Sequence, residues 1–319
     1  MRIGTNPEKE KSNRIHYKKH RVLIPVYIPK DKDPYFKDLF DVFKESMNSL
    51  LLTISSNNTA ITIINNNCKV EVTDFIDKLL VDKKIDKHVK LVSNYGKVYT
   101  VLSEARASFE DYITIADADV FYFNHWEKEV FELFSVFKKV GVVSPVPAPH
   151  LALYNNVSLF GSLYRKPKMK NVVDSESFLL FEQGTNNTKI FNNRNYNWKE
   201  KQYYLEKKGV KACVGSGHFI ATYKNVFKFF PLIKPEFVFK QADENEFIDS
   251  QFDKLGYYRV STLKAFAYHL GNTIPDWIRK YRFSKKIIFL THIKQLKRNK
   301  LTYLIKKLLF KVLKKFKII

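Results

Sequence analysis

Asp117 and Asp119 stand one residue apart at the end of the apolar run Tyr112-Ile113-Thr114-Ile115-Ala116. Two carboxylates so close repel each other unless a cation lies between them. Hard divalent ions such as Mg²⁺ and Mn²⁺ prefer carboxylate and phosphate oxygens, and are usually held by one or two carboxylates plus a substrate's phosphates. If the apolar run is a strand whose C-terminal end reaches solvent, the pair can hold a metal against a diphosphate. A second pair of the same spacing, Asp31 and Asp33, precedes Pro34 with no strand ahead of it. It reads as a solvated turn. Spacing alone allows the same reading for Asp117 and Asp119, so the elements around them decide.

Residues 22–28 form a buried-strand pattern, with Pro25 placing it near a strand end or against an unpaired neighbour. A helix follows from Pro34, carrying Phe36, Leu39, Phe40, Phe43, Met47 and Leu50 on one face. A second strand, 60–64, ends in Asn65-Asn66-Asn67. Thr73 or Asp74 is the expected cap of a helix with Phe75, Leu79 and Leu80. Strands at 89–92, 112–116 and 140–143 alternate with helices ending near Ala107 and spanning 126–137. This alternation predicts an α/β fold, a mostly parallel sheet with helices on both faces. Ligands of such sheets sit beyond the carboxyl ends of the strands. Pro25 to Tyr27, Asn65 to Asn67, Asn94 to Lys97 and Asp117 to Asp119 all fall there. Residues 150–210 are polar and Asn-rich without a clear period. After the turn Gly215-Ser216-Gly217-His218, the acids Asp243, Glu244 and Glu246 open a helix closed by Gly256, with Phe247, Ile248, Phe252 and Leu255 inward. Short strands near 258–261 and 265–269 end the compact part.

The 45% hydrophobic and 15% aromatic content excludes a disordered chain, and 319 residues allow a sizeable core. Cys68 and Cys213 make no metal spacing and suggest a reducing compartment. Residues 1–20 lack a signal core, and no run is long and apolar enough to span a membrane. The net charge of +23 is concentrated: Trp277 to Ile319 holds 15 Lys or Arg and no acid. From Leu301, the apolar residues 304, 305, 308, 309, 312, 313 and 316 continue one helical stripe, with Lys306, Lys307, Lys311, Lys314 and Lys315 beside it. Such a helix suits an anionic membrane surface; the alternative is a helix packed on its own domain or on a dimer partner, its basic face in solvent. A specific nucleic acid is disfavoured, because no base-reading motif accompanies the charge.

In order, Val22 to Pro29, the Asn65-Asn66-Asn67 turn, Asn94-Tyr95-Gly96-Lys97, Ile115 to Val120 with Trp126, Gly215 to Phe219, Asp243 to Glu246 with Gly256-Tyr257, and His269 resemble the motif series of a GT-A glycosyltransferase, family 2-like, across roughly residues 21–272. The resemblance implies a Rossmann-like GT-A fold. It divides the chain into a basic arm (1–20), a nucleotide-sugar-binding half (21–149), an acceptor-binding half (150–275) and a basic amphipathic helical tail (276–319). The implied activity is inverting transfer from a nucleoside-diphosphate sugar to a glycan or lipid-linked acceptor in surface polysaccharide synthesis, with Mn²⁺ or Mg²⁺. The enzyme would lie on the cytoplasmic face of the cell membrane. Pro25, Tyr27, Asn65, Lys97 and Asp117 would contact the donor. Asn65 stands where the family usually has an aspartate that accepts from the base. Asp119, with Asp117 and His269, would hold the metal, and one of Asp243, Glu244 and Glu246 would be the general base. His218 ranks lower, as an acceptor-side residue. Competing readings are a nucleotidyltransferase with a similar sheet, which would want a Gly-rich phosphate loop after the first strand, and a non-catalytic basic membrane or nucleic-acid-binding protein.

Overall fold

A computed structural model describes residues 4–10, 16–31, 33–162, 167–193, 196–232, 243–284 and 300–316. Parts of the expected arm and tail (1–3, 11–15, 285–299 and 317–319) lie outside the described residues. The first half alternates as its periodicity predicts: β1 (His20–Val26), α1 (Leu39–Thr53), β2 (Thr59–Asn65), α2 (Val70–Val81), β3 (Lys87–Lys90), α3 (Lys97–Ala107) and β4 (Tyr112–Ala116). Then come β5 (Val120–Tyr122), α4 (Trp126–Val136) and β6 (Val140–Ser144). The second half holds α5 (Val157–Phe160), β7 (Lys168–Lys170), α6 (Ser175–Thr185), the small hairpin β8 (Asn192–Asn193) and β9 (Tyr196–Asn197), β10 (Gln202–Lys207), β11 (Val210–Val214) and β12 (Ile220–Lys224). A π turn, Asn245–Asp249, runs into α7 (Ser250–Lys254), followed by β13 (Tyr258–Ser261), β14 (Ala267–His269), α8 (Asp276–Arg279) and α9 (Lys300–Lys315).

Ten strands form one sheet in the order β3-β2-β1-β4-β12-β6-β13-β11-β10-β7. Seven run in one direction; β12, β11 and β7 oppose them. The sheet is therefore mostly parallel, as expected, with the reversals confined to the later strands. Both faces are covered, which is why β1, β2 and β4 read as near-continuous apolar runs. Val22, Ile24 and Val26 pack on one face with Phe43, Met47 and Phe134, while Leu23 packs on the other with Val98, Val101 and Leu102 of α3.

Three local expectations shift. Helix α2 begins at Val70 rather than at a Thr73 or Asp74 cap, and Lys69 at its N-cap makes no side-chain cap bond. Thr73 Oγ1 is instead held by Asn65 Nδ2 at 2.9 Å. The third strand is Lys87–Lys90, two residues before the apolar stretch suggested, because Asp86 Oδ2 accepts from Ile61 N and sets its entry. Residues 150–210 carry helices and strands that the sequence leaves unmarked, since β7 is exposed throughout and β8 and β9 are two residues each. Asp31 and Asp33 sit in a turn, where Asp31 Oδ1 accepts from Asp33 N and Asp33 Oδ1 from Tyr35 N.

At the N-terminal ends of the central strands, buried polar groups satisfy one another. His20 Nδ1 lies 3.1 Å from Glu127 Oε1, and its Nε2 lies 2.7 Å from Thr114 Oγ1. Glu127 Oε2 accepts from Ser55 N at 2.8 Å. The opposite ends of these strands are different.

Candidate active site

A cavity of about 440 Å³ opens beyond the carboxyl ends of β1, β2 and β4. Pro25, Tyr27, Asn66, Lys97, Asp117, Asp119 and His269 line it. They arrive from the ends of β1, β2 and β4, the start of α3 and the end of β14, as ligand sites of such sheets do. Asp117 leaves β4 with its backbone N–H donated to Phe219 O, the residue entering β12. Asp119 precedes β5, which pairs antiparallel with β14, so that His269 lies opposite Val120. Leu270 N donates to Asp119 O at 2.8 Å. This short ladder brings the late histidine to the Asp pair.

One ligating atom from each of Asp117, Asp119 and His269 lies within 4.8 Å of the others. His269 Nδ1 sits 2.8 Å from Gly184 O in the last turn of α6. A carbonyl only accepts, so Nδ1 carries the proton and Nε2 turns to Asp119 Oδ2 at 3.3 Å. A ligating histidine is commonly oriented this way, by its other ring nitrogen. Asp119 Oδ1 is buried with no hydrogen-bond partner among the described residues. Desolvation pushes the Asp119 carboxyl above the usual range, and the neighbouring His269 opposes it. A buried carboxylate oxygen without a partner among the described residues, beside an imidazole nitrogen and a second carboxylate, is a set of groups that could hold a divalent cation.

Lys97 opens α3 after Gly96, whose φ of 75° needs a residue without a side chain. Its Nζ bridges Asp117 Oδ1 at 2.5 Å and Glu244 Oε1 at 2.6 Å. Desolvation alone would lower the Lys97 ammonium, but the two carboxylates outweigh it and hold it above its ordinary value. Desolvation likewise raises Asp117, against the pull of Lys97. For Glu244, burial would raise the carboxyl, yet Lys97 and His218 outweigh burial and hold it low.

Of the three expected acids, only Glu244 reaches this cluster. Asp243 is buried and Glu246 is exposed at the first π turn. A π turn is wider than an α turn, so the 3.6-residue period does not place these acids. Asn65 does not line the cavity: its Oδ1 accepts from Cys68 N and its amide reaches Thr73, both serving the entry to α2. Asn66 takes the place on the wall. Its Oδ1 accepts from Tyr95 N and its amide donates to Asn94 Oδ1, tying the turn after β2 to the loop before α3. Tyr27 is 39% exposed and meets Phe36 edge-on.

Sequence reasoning missed Asp249 and Arg259. Both are fully buried and form an ion pair, and Arg259 Nη2 also donates to Ser216 O at 3.0 Å. Asp249 Oδ2 lies 3.2 Å from His218 Nδ1, and Tyr154 packs edge-on against that ring. The pair fixes the Gly-rich turn beside Glu244. The only signal in the sequence is Gly215, whose φ of 113° brings its backbone so close that an added Cβ would lie 2.2 Å from Ala148 O.

No protein-family model and no curated protein matches the sequence. Among solved structures, the chain is similar to the mannosyltransferase PcManGT from Pyrobaculum calidifontis in complex with GDP-Man and Mn²⁺. The identity is 12%, the TM-score 0.43, and the overlap covers 82% of this chain and 56% of that one. It is also similar to S. aureus TarS 1-349, with 12% identity, a TM-score of 0.42, and coverage of 78% and 60%. The TarS 1-349 complex with UDP-GlcNAc matches at 12% identity and a TM-score of 0.41, over 78% of this chain and 58% of that one. The chain thus spans 56 to 60% of the length of these structures.

Proposed function

We propose that the protein is an inverting, metal-dependent glycosyltransferase that moves a sugar from a nucleoside diphosphate to a glycan or lipid-linked acceptor, as surface polysaccharide synthesis requires. One observation carries the reading. Two carboxylates and an oriented histidine share a wall of the strand-end cavity, and Lys97 connects them to a further carboxylate, Glu244. A site that gathers this many charges at strand ends is suited to a phosphorylated ligand and a metal.

Asp119, Asp117 and His269 would hold Mn²⁺ or Mg²⁺, whose Lewis acidity would neutralise the leaving diphosphate. Tyr27 and Asn66 wall the end of the cavity where the base would lie. Lys97 exchanges its contact with Asp117 for the donor's phosphates. That exchange also loosens the hold of Lys97 on Glu244, whose carboxyl is otherwise kept too acidic to be an efficient base. Glu244 then takes the proton of the acceptor hydroxyl as its oxygen bonds to the anomeric carbon. The bond from that carbon to the diphosphate breaks with its electron pair, and the configuration inverts.

The test is a panel of nucleoside-diphosphate sugars and nucleoside triphosphates, assayed on the full chain for thermal stabilisation and hydrolysis with and without Mn²⁺. The reading expects a diphosphate sugar to raise the melting temperature in a Mn²⁺-dependent way and to be slowly hydrolysed. Response to triphosphates alone, with release of pyrophosphate, would move the protein to nucleotidyl transfer.

A further inference from the structure

Helix α9 uses its two sides differently. One side meets the body of the protein: Lys306 Nζ donates to Ser158 O at 3.1 Å, Phe310 lies 6.2 Å from Phe160, and a Cβ on Gly161 would lie 2.3 Å from Lys306 O. Tyr303, Leu309 and Leu313 on this side are half-buried. The other side carries Leu301, Leu304, Ile305, Leu308, Val312 and Phe316, each 42 to 68% exposed. Their spacing of three and four residues makes one continuous row along a helix of about 24 Å. Scattered exposed apolar residues need no explanation, but a contiguous row does.

We infer that this outer row is a binding surface for an anionic lipid bilayer, reached while the inner row stays docked on the protein. The inference goes beyond the proposed reaction and does not depend on it. Charge selects the occupant. Lys307, Lys311, Lys314 and Lys315 flank the row, and no acid occurs between Trp277 and Ile319. A second copy would set these lysines against their own kind. A bilayer of anionic headgroups offers apolar depth below and negative charge beside it, which matches both features at once.

The experiment is co-sedimentation of the full chain with vesicles of phosphatidylglycerol in phosphatidylcholine, compared with pure phosphatidylcholine. Binding is expected with the anionic vesicles and should weaken as salt rises. The double substitution Leu304→Glu, Leu308→Glu should lower it by at least about tenfold without changing the melting temperature, because both side chains already face solvent. Lys307→Gln with Lys311→Gln should weaken binding and flatten its salt dependence. Failure of the wild type to sediment with anionic vesicles would overturn the inference, and so would equal binding by the Leu304→Glu, Leu308→Glu chain. Dimerisation of the wild type in solution, abolished by the same substitutions without any vesicle binding, would assign the row to a second copy instead.

Discussion

Asp119 presents one carboxylate oxygen to His269 and keeps the other buried without a partner among the described residues. Asp119→Ala should therefore abolish Mn²⁺-dependent nucleotide binding, read by calorimetry, while the fold persists. Asp31→Ala should change nothing, since that pair only closes a turn. Among the acids near the π turn, Glu244→Gln should lower transfer by about 10²–10⁴-fold, the range for lost general-base catalysis, with donor affinity little changed. Glu246→Gln should behave as wild type, because that side chain faces solvent. Retained transfer in Glu244→Gln would put the base elsewhere. At this scale the sequence was partly legible. Asp117, Asp119 and Lys97 stand out because each sits at a strand end or a helix start after a turn signal. Asp249 and Arg259 do not, because an acid in a helix and an arginine in a strand look like solvated residues until the sheet buries both.

The element that completes the cluster of Asp117, Asp119 and His269 is the two-strand ladder of β5 and β14, braced from behind by α6. Gly184 on α6 has no room for a side chain: an added Cβ would lie 2.7 Å from His269 O, which is backbone and cannot rotate away. Gly184→Val should displace His269 and lower Mn²⁺ affinity by about 10–100-fold, the range for a lost supporting contact. Gly217→Ala is the control, because a Cβ there meets only the Ala148 side chain at 3.9 Å. Unchanged Mn²⁺ affinity in Gly184→Val would separate α6 from the site. None of this was visible from periodicity. Strands β1, β2 and β4 announce themselves because sheets covered on both faces require long apolar runs. Strands β5 and β14 are three residues each, too short for a period, and their pairing is set by tertiary context.

Across the whole molecule, charge is handled in two ways. Near the N-terminal ends of the central strands, buried acids are held internally: Glu127 contacts His20, and Glu110 is paired with Arg21. Lys224 is an exception within the fold: it is 4% exposed, its Nζ donates to Lys138 O, and the rings of Phe134 and Tyr257 lie beside it. Burial, helped by the charge of Lys138, brings its ammonium down to about 7. The unfolded chain holds that proton up to about 10.4. Between these values the unfolded state binds more protons, so stability rises with pH across that window and is lowest below it. Lys224→Met should be more stable than wild type at pH 7, and the gap should close towards pH 10 by no more than about 4 kcal/mol, measured as paired denaturation curves. A gap that does not narrow would show the lysine to be charged throughout. Strand β12 has a broader consequence. It lies between β4 and β6 and pairs with both, although it comes from the other half of the chain. A fragment stopping at residue 149 would leave those two strands about 9.6 Å apart with nothing between them. Residues 21–149 are therefore not expected to fold as a unit when expressed alone, because the central sheet would lack the strand between β4 and β6. Any shortening that keeps this portion soluble must keep residues 220–224, and with them the turn that carries His218.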